Sequence, residues 1–395
     1  MQEPQFTGPL AHVYRSLVPL LNLFLSSEYQ TKRLDPDVCD FAFGNPHELP
    51  LPGFTAALQA AIPPQNKDWF AYKNSEPAAV EAAIESTYER TGIRLAPEDL
   101  QLTTGAFSGL LIACRLVTEP GDEVIYNVPG WFFYEATIVQ AGAVPVSVRT
   151  DERNFDLDLA AIEAAITPRT RAVIVNSPNN PSGRIYPPAT LRALADLLTR
   201  ATARIGHTIY LISDEAYGAI IVGDTPYTSP VSYYDHSLMV YTWGKVLLIP
   251  GQRIGFVALA PTMPEREALR LPLTVTIMTL GWSFPNADLQ YALPQVANMS
   301  IDMDALRRRI QRMGSALAEM GYEVMMPEGT FYMNVMAPGG DDTAFAARLM
   351  EEDVICLPGT VMQMPGFFRL SLTANDAMVE RALPRFERVL KAAQA

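Results

Sequence analysis

Lys245 stands between the apolar stretches "YTWG" and "VLLIPG", just past a run that reads as a strand. Most lysines are solvated surface charges, but an amine in apolar surroundings loses part of its preference for the charged form and gains nucleophilic character. Arg253 follows eight residues later in "PGQRIGF". Asp214 and Tyr217 close the apolar run "IYLI" in "SDEAY". An acid there either caps a following helix or serves a ligand. Arg369 lies inside the short apolar strand "FFRLSL". A buried guanidinium needs an anionic partner, and a ligand carboxylate suits its fork. The turn "TTGAF", residues 103–107, opens a helix whose free N–H groups suit a phosphate, although glycine before a helix is commonplace.

The segment "VIVNSPNNPSGRIY" turns a buried strand into a rigid, polar bracket. Its prolines fix the backbone, Gly183 permits a positive φ, and the asparagine amides both donate and accept. Ligands bind at such carboxyl ends of strands in open α/β sheets. Together these residues describe one ligand: a phosphate for the Gly105 turn and Arg253, a group that reacts with Lys245, a ring atom for Asp214 and a carboxylate for Arg369. Pyridoxal phosphate with an amino acid meets each demand. Its aldehyde condenses with lysine, and a carboxylate partner keeps the pyridine nitrogen protonated so that the ring takes up electrons.

The elements that must position these residues alternate. "EDLQLTTGAFSGLLIACRLVTEPGDEVIYNV" reads as strand, helix, strand, and the alternation continues through "AVPVSV", "AVIVN", "IYLI", "LMVYTW" and "RIGFVAL". Such alternation builds a mostly parallel sheet covered by helices. Beyond about Pro285 the pattern becomes a smaller α+β unit with a long helix, short strands and a closing helix. The expected division is an N-terminal arm with part of the small domain over 1–50, a large domain over 51–285 and a small domain over 286–395. With 395 residues, more than one core is expected.

The net charge of −13 argues against a nucleic-acid partner. Three scattered cysteines and no clustered histidines argue against a disulfide framework and a metal site, and for a reducing, cytoplasmic setting. "LVPLLNLFL", Leu17 to Leu25, is too short to span a bilayer and reads as an N-terminal helix or an arm packing on a neighbour.

The motifs together resemble the class I/II aminotransferases among the fold-type I pyridoxal-phosphate enzymes, from "FAFGNP" at Phe41 to "FFRLSL" at Leu372. "NSPNNPSG" resembles the family's NxPxNPTG, which implies that Asn180 meets the cofactor's phenolic oxygen. "SDEAY" implies Asp214 at the pyridine nitrogen and Tyr217 beside Asn180. "TWGK" implies Lys245 as the Schiff-base lysine and base, with the Thr242 hydroxyl at the phosphate, and Arg253 joins it there. "TTGAF" gives Gly105, Ala106 and Phe107 to the phosphate turn, and "VPGWFFYE" gives Trp131 to the ring face. "WFAYKNSEP" is similar to the segment whose tyrosine, Tyr72 here, reaches the neighbouring subunit's phosphate, implying a homodimer. Gly44, Asn45, Asn180 and Arg369 would hold the substrate.

Two departures stand out. Gly244 replaces the usual serine or alanine, and the residues after Tyr72 lack the usual glycine and "LR" pair. No second arginine matches one that would bind an aspartate side chain. The implied reaction is ping-pong amino transfer between an L-amino acid, hydrophobic or aromatic, and a 2-oxo acid. The apolar segments "LVPLLNLFL" and "WFFY" are candidates for its side-chain pocket. The same fold also supports C–S lyase (β-elimination), oxidase, decarboxylase and synthase chemistry.

Overall fold

The computed structural model describes residues 7–281 and 284–394. Its strands are Cys39–Asp40 (β1), Leu100–Thr103 (β2), Glu123–Val128 (β3), Val144–Arg149 (β4), Thr170–Asn176 (β5), Tyr210–Asp214 (β6), Ser237–Thr242 (β7), Gly255–Leu259 (β8), Val324–Met325 (β9), Tyr332–Met336 (β10), Val354–Ile355 (β11), Leu357–Pro358 (β12) and Phe367–Ser371 (β13). Seven of them form one sheet in the order β2-β8-β7-β6-β5-β3-β4. Within it β8 alone runs against its neighbours β2 and β7. Side-chain periodicity does not encode strand direction, so "RIGFVAL" reads the same either way.

Strands β3, β7 and β8 are buried along their whole length, as expected of a sheet covered on both faces. From β3 the chain crosses outward to β4 and returns to β5 on the other side of β3. This reversal opens a crevice at the strand ends. The carboxyl ends of β5 and β6 lie level there: Asn176 is paired with Asp214, and Asp214 with Val240 of β7.

A second, antiparallel sheet runs β12-β13-β10-β9. β1 pairs in parallel with β11, so the N-terminal segment is built into the C-terminal part of the chain. The helix Ala287–Val296 packs on the helices Pro52–Ala61 and Pro77–Thr91. The early apolar run is helical within Pro9–Phe24, and this helix packs against Tyr134–Gln140, where His12 meets Glu135 at 2.6 Å. Among the described residues no helix is long and apolar enough to cross a membrane.

Candidate active site

At the carboxyl ends of the central strands lies a cavity of about 180 Å³. Ala106, Phe107, Trp131, Asn180, Asp214, Tyr217, Thr242, Lys245 and Arg253 all line it. Asn176 lines it as well and had escaped the sequence reading. Its amide donates to the Asp214 carbonyl at 2.9 Å, and its oxygen accepts from the Asn180 N–H at 2.7 Å. Asn176 thus ties the polar bracket to the neighbouring strand and sets where Asn180 stands.

Asp214 ends β6, and a turn over residues 216–219 follows it in place of a helix. Helix capping therefore does not account for this acid. It is 4 % exposed, and burial pushes its pKa up to about 6. A hydrogen bond from the Tyr134 hydroxyl at 2.5 Å, one from the Ala216 N–H and the Lys245 charge oppose that rise. Tyr134 is a second residue that sequence reasoning missed. It sits three residues past Trp131, but only the fold turns its hydroxyl to Asp214.

Gly105 caps the helix Ala106–Val117 with φ 89°, in the left-handed region that favours glycine. A side chain there would meet Arg253 Nη2 at 2.9 Å. The bare backbone leaves a cradle between the first-turn N–H groups and a guanidinium, suited to a phosphate. Thr242 caps the short helix Trp243–Val246 by accepting from the Gly244 N–H, and its hydroxyl donates to the Ile254 carbonyl at 2.9 Å. Its proton is therefore committed within the chain. That helix carries Lys245 into the cavity, with Nζ 5.7 Å from the Tyr217 ring centroid.

Phe107 and Trp131 meet edge to face with centroids 4.8 Å apart and wall the mouth. The early apolar helix does not reach it. Leu20 and Leu23 pack instead with Phe43, Phe132 and Phe133 as ordinary core.

Arg369 is 1 % exposed and does not line the open cavity. It donates to Asn180 Oδ1 at 2.8 Å and to the Ala42 carbonyl at 3.0 Å, while its Nε has no partner. Among the described residues no carboxylate pairs with it, as an arginine reserved for an anionic ligand requires. Gly44 packs against Phe331 and Tyr332, and the Asn45 carbonyl accepts from the Thr373 hydroxyl, so neither lines the cavity. Tyr72 is fully exposed, beside Phe70 and the segment 284–288 and away from this chain's own cavity.

Comparison with known proteins identifies the family of the chain and relatives of its fold. The profile of the family described as aminotransferase class I and II matches residues 36–386. The aspartate/prephenate aminotransferase of Thermus thermophilus is 32% identical over 335 residues, covering 82% of this chain and 84% of the relative. An aminotransferase structure from Eubacterium rectale superposes with a TM-score of 0.85 at 27% identity, over 99% of this chain and 97% of that one. The Thermus thermophilus aspartate aminotransferase with maleate gives 0.80 at 27% identity, over 98% and 97%.

Proposed function

The chain belongs to the class I and II aminotransferases, which use pyridoxal phosphate, and on that premise we propose that its donor is a hydrophobic or aromatic L-amino acid, its acceptor a 2-oxo acid and its kinetics ping-pong. One observation supports the donor class: among the described residues Lys245 and Arg253 are the only cations lining the cavity, and Phe107 and Trp131 line it side by side. A side-chain carboxylate finds no free cation there, whereas an apolar side chain finds aromatic surface.

Pyridoxal phosphate, when bound, supplies an aldehyde that captures amines and a ring that takes up the electrons released at the amino acid's Cα. The N–H groups of Ala106 and Phe107, with Arg253, would hold its phosphate. Trp131 would cover its ring, Asp214 would face its pyridine nitrogen, and Asn180 and Tyr217 would meet its phenolic oxygen. Thr242 acts as the cap that aims Lys245. Arg369 would grip the substrate carboxylate and so fix the direction of the Cα–H bond. Lys245 Nζ would then take the proton from Cα and return it to the carbon on the other side of the substrate nitrogen.

Tyr72 and Phe70, both exposed, fit a homodimer in which Tyr72 serves the partner's phosphate site. Three buried, unpaired cysteines fit a cytoplasmic setting.

The names of the relatives favour a second reading, a dicarboxylic substrate such as aspartate or prephenate. A single-turnover assay separates the two. Loaded enzyme is mixed with phenylalanine, leucine or aspartate without any acceptor, and released 2-oxo acid is counted. The proposal predicts one equivalent per site from phenylalanine or leucine, at a rate at least about tenfold above aspartate, corresponding to about 1.4 kcal/mol. A faster reaction with aspartate supports the dicarboxylate reading, and no release without acceptor contradicts the ping-pong order.

A further inference from the structure

The buried guanidinium of Arg369 lies over an aromatic ring, with Cζ 3.9 Å from the Tyr332 centroid. The contact follows from register. Tyr332 and Asn334 are two residues apart on β10 and share a face. Asn334 is paired with Arg369 across β13, which places Arg369 diagonally beside Tyr332. The three side chains all reach the polar bracket and its surroundings. Asn334 donates to the Pro181 carbonyl at 2.7 Å, Arg369 donates to Asn180, and the Tyr332 hydroxyl accepts from Tyr217 at 3.4 Å. Asn180 in turn donates to Tyr217 at 3.5 Å, so Arg369, Asn180, Tyr217 and Tyr332 form a closed circuit. Gly44 leaves room for the phenol, since a side chain there would meet its hydroxyl at 2.8 Å.

A guanidinium on an arginine stem can tilt and rotate, and bidentate recognition of a carboxylate demands one plane. Two hydrogen bonds, to Asn180 and Ala42, fix two edges of that plane. Neither prevents tilting about the line that joins them. A ring whose centre lies 3.9 Å from the guanidinium carbon opposes such tilting, and in a desolvated site the attraction between cation and ring is strong.

We propose that Tyr332 is a positioning residue for carboxylate binding: its ring, not its hydroxyl, is the platform that holds the Arg369 guanidinium in the plane a substrate carboxylate needs. The inference rests on the reading of Arg369 given above as the carboxylate site. It assigns separate duties to the two parts of one side chain, and substitutions can separate them.

The test is calorimetric binding of two non-reacting carboxylates, 3-phenylpropanoate and maleate, to the enzyme loaded with pyridoxal phosphate. Whichever binds the unmodified enzyme serves as the probe, so an error about the side-chain pocket does not decide the result. Tyr332→Phe keeps the ring and should bind within about threefold of the parent. Tyr332→Leu removes it and should bind about tenfold more weakly, with cofactor affinity unchanged in both. Should Tyr332→Leu not fold, Tyr332→Met offers the same contrast. A tenfold loss already in Tyr332→Phe, or no loss in Tyr332→Leu, overturns the proposal. So does a loss of cofactor affinity that parallels the loss of probe. If neither probe binds the parent enzyme, the carboxylate reading of Arg369 fails, and this inference with it.

Discussion

Two adjacent acids at the end of β6 face opposite fates. Asp214 looks into the cavity with one phenol and one backbone N–H as its side-chain partners, and its pKa is raised by burial. Glu215 points behind the sheet, wholly buried, and accepts from Ser213 at 3.0 Å, Ser229 at 2.5 Å and Tyr227 at 2.7 Å. Arg90 stands 4.0 Å away, itself stacked on Tyr241 at 3.8 Å. A saturated acid has nothing left to offer a ligand and serves to pin the loop 227–229 to the strand end. An under-supplied one, held in a cavity at some cost, is poised for the cationic group of a ligand.

Exchanging each acid for its amide should have opposite consequences at the two positions. Asp214→Asn has the largest expected effect on the reaction. Turnover should fall on the order of 100-fold or more, because the electron-accepting ring loses its charged partner. The same change has a signature in the cofactor-free protein. In the unfolded chain Asp214 loses its proton near its ordinary pKa, about 4, and in the folded chain near about 6. The stabilising difference is complete below the first value and is lost as pH rises through the second. Relative to the parent, Asp214→Asn should therefore gain about 2–3 kcal/mol between pH 4 and 7. Urea unfolding at the two pH values checks it, and equal stability differences at both would show that Asp214 is not strained.

Glu215→Gln should behave inversely. The amide cannot replace the charge facing Arg90 or accept all three hydroxyls, so stability should drop by about 2–3 kcal/mol. Turnover per folded molecule should stay within a few-fold of the parent. A large kinetic defect without a stability change would mean that the rear network belongs to the chemistry.

Tyr134→Phe should produce the smallest change, confined to the titration of Asp214. Without the phenol, the hydrogen bond that lowers the Asp214 pKa is gone, and its titration midpoint should move above about 6. NMR of carboxyl-labelled aspartate in the cofactor-free protein reads that midpoint. A fall, or no movement, contradicts the assigned role of Tyr134.

Part of this site was legible in the sequence. Asn180, Asp214 and Lys245 each stand at or just beyond the end of an apolar run, where breaker residues and charge interrupt hydrophobicity, so one short window exposes them. Arg369 was legible as a charge inside an apolar strand, though not its sealed position behind the cavity wall. Tyr134 and Tyr332 were not legible. A tyrosine among apolar residues looks like core, and only register and the crossing of segments bring their hydroxyls to Asp214 and Tyr217. Asp214 and Glu215 were inseparable for the same reason. They are neighbours in "SDEAY", and their difference lies in which face of the sheet each one meets.

If the cavity at these strand ends is where the cofactor meets the chain, Lys245 is its point of attachment. Borohydride reduction of the loaded enzyme, followed by peptide mass mapping, tests it most directly. One phosphopyridoxyl group per chain is expected, on the peptide that carries Lys245. Attachment at Lys32, Lys67, Lys73 or Lys391 instead would contradict it.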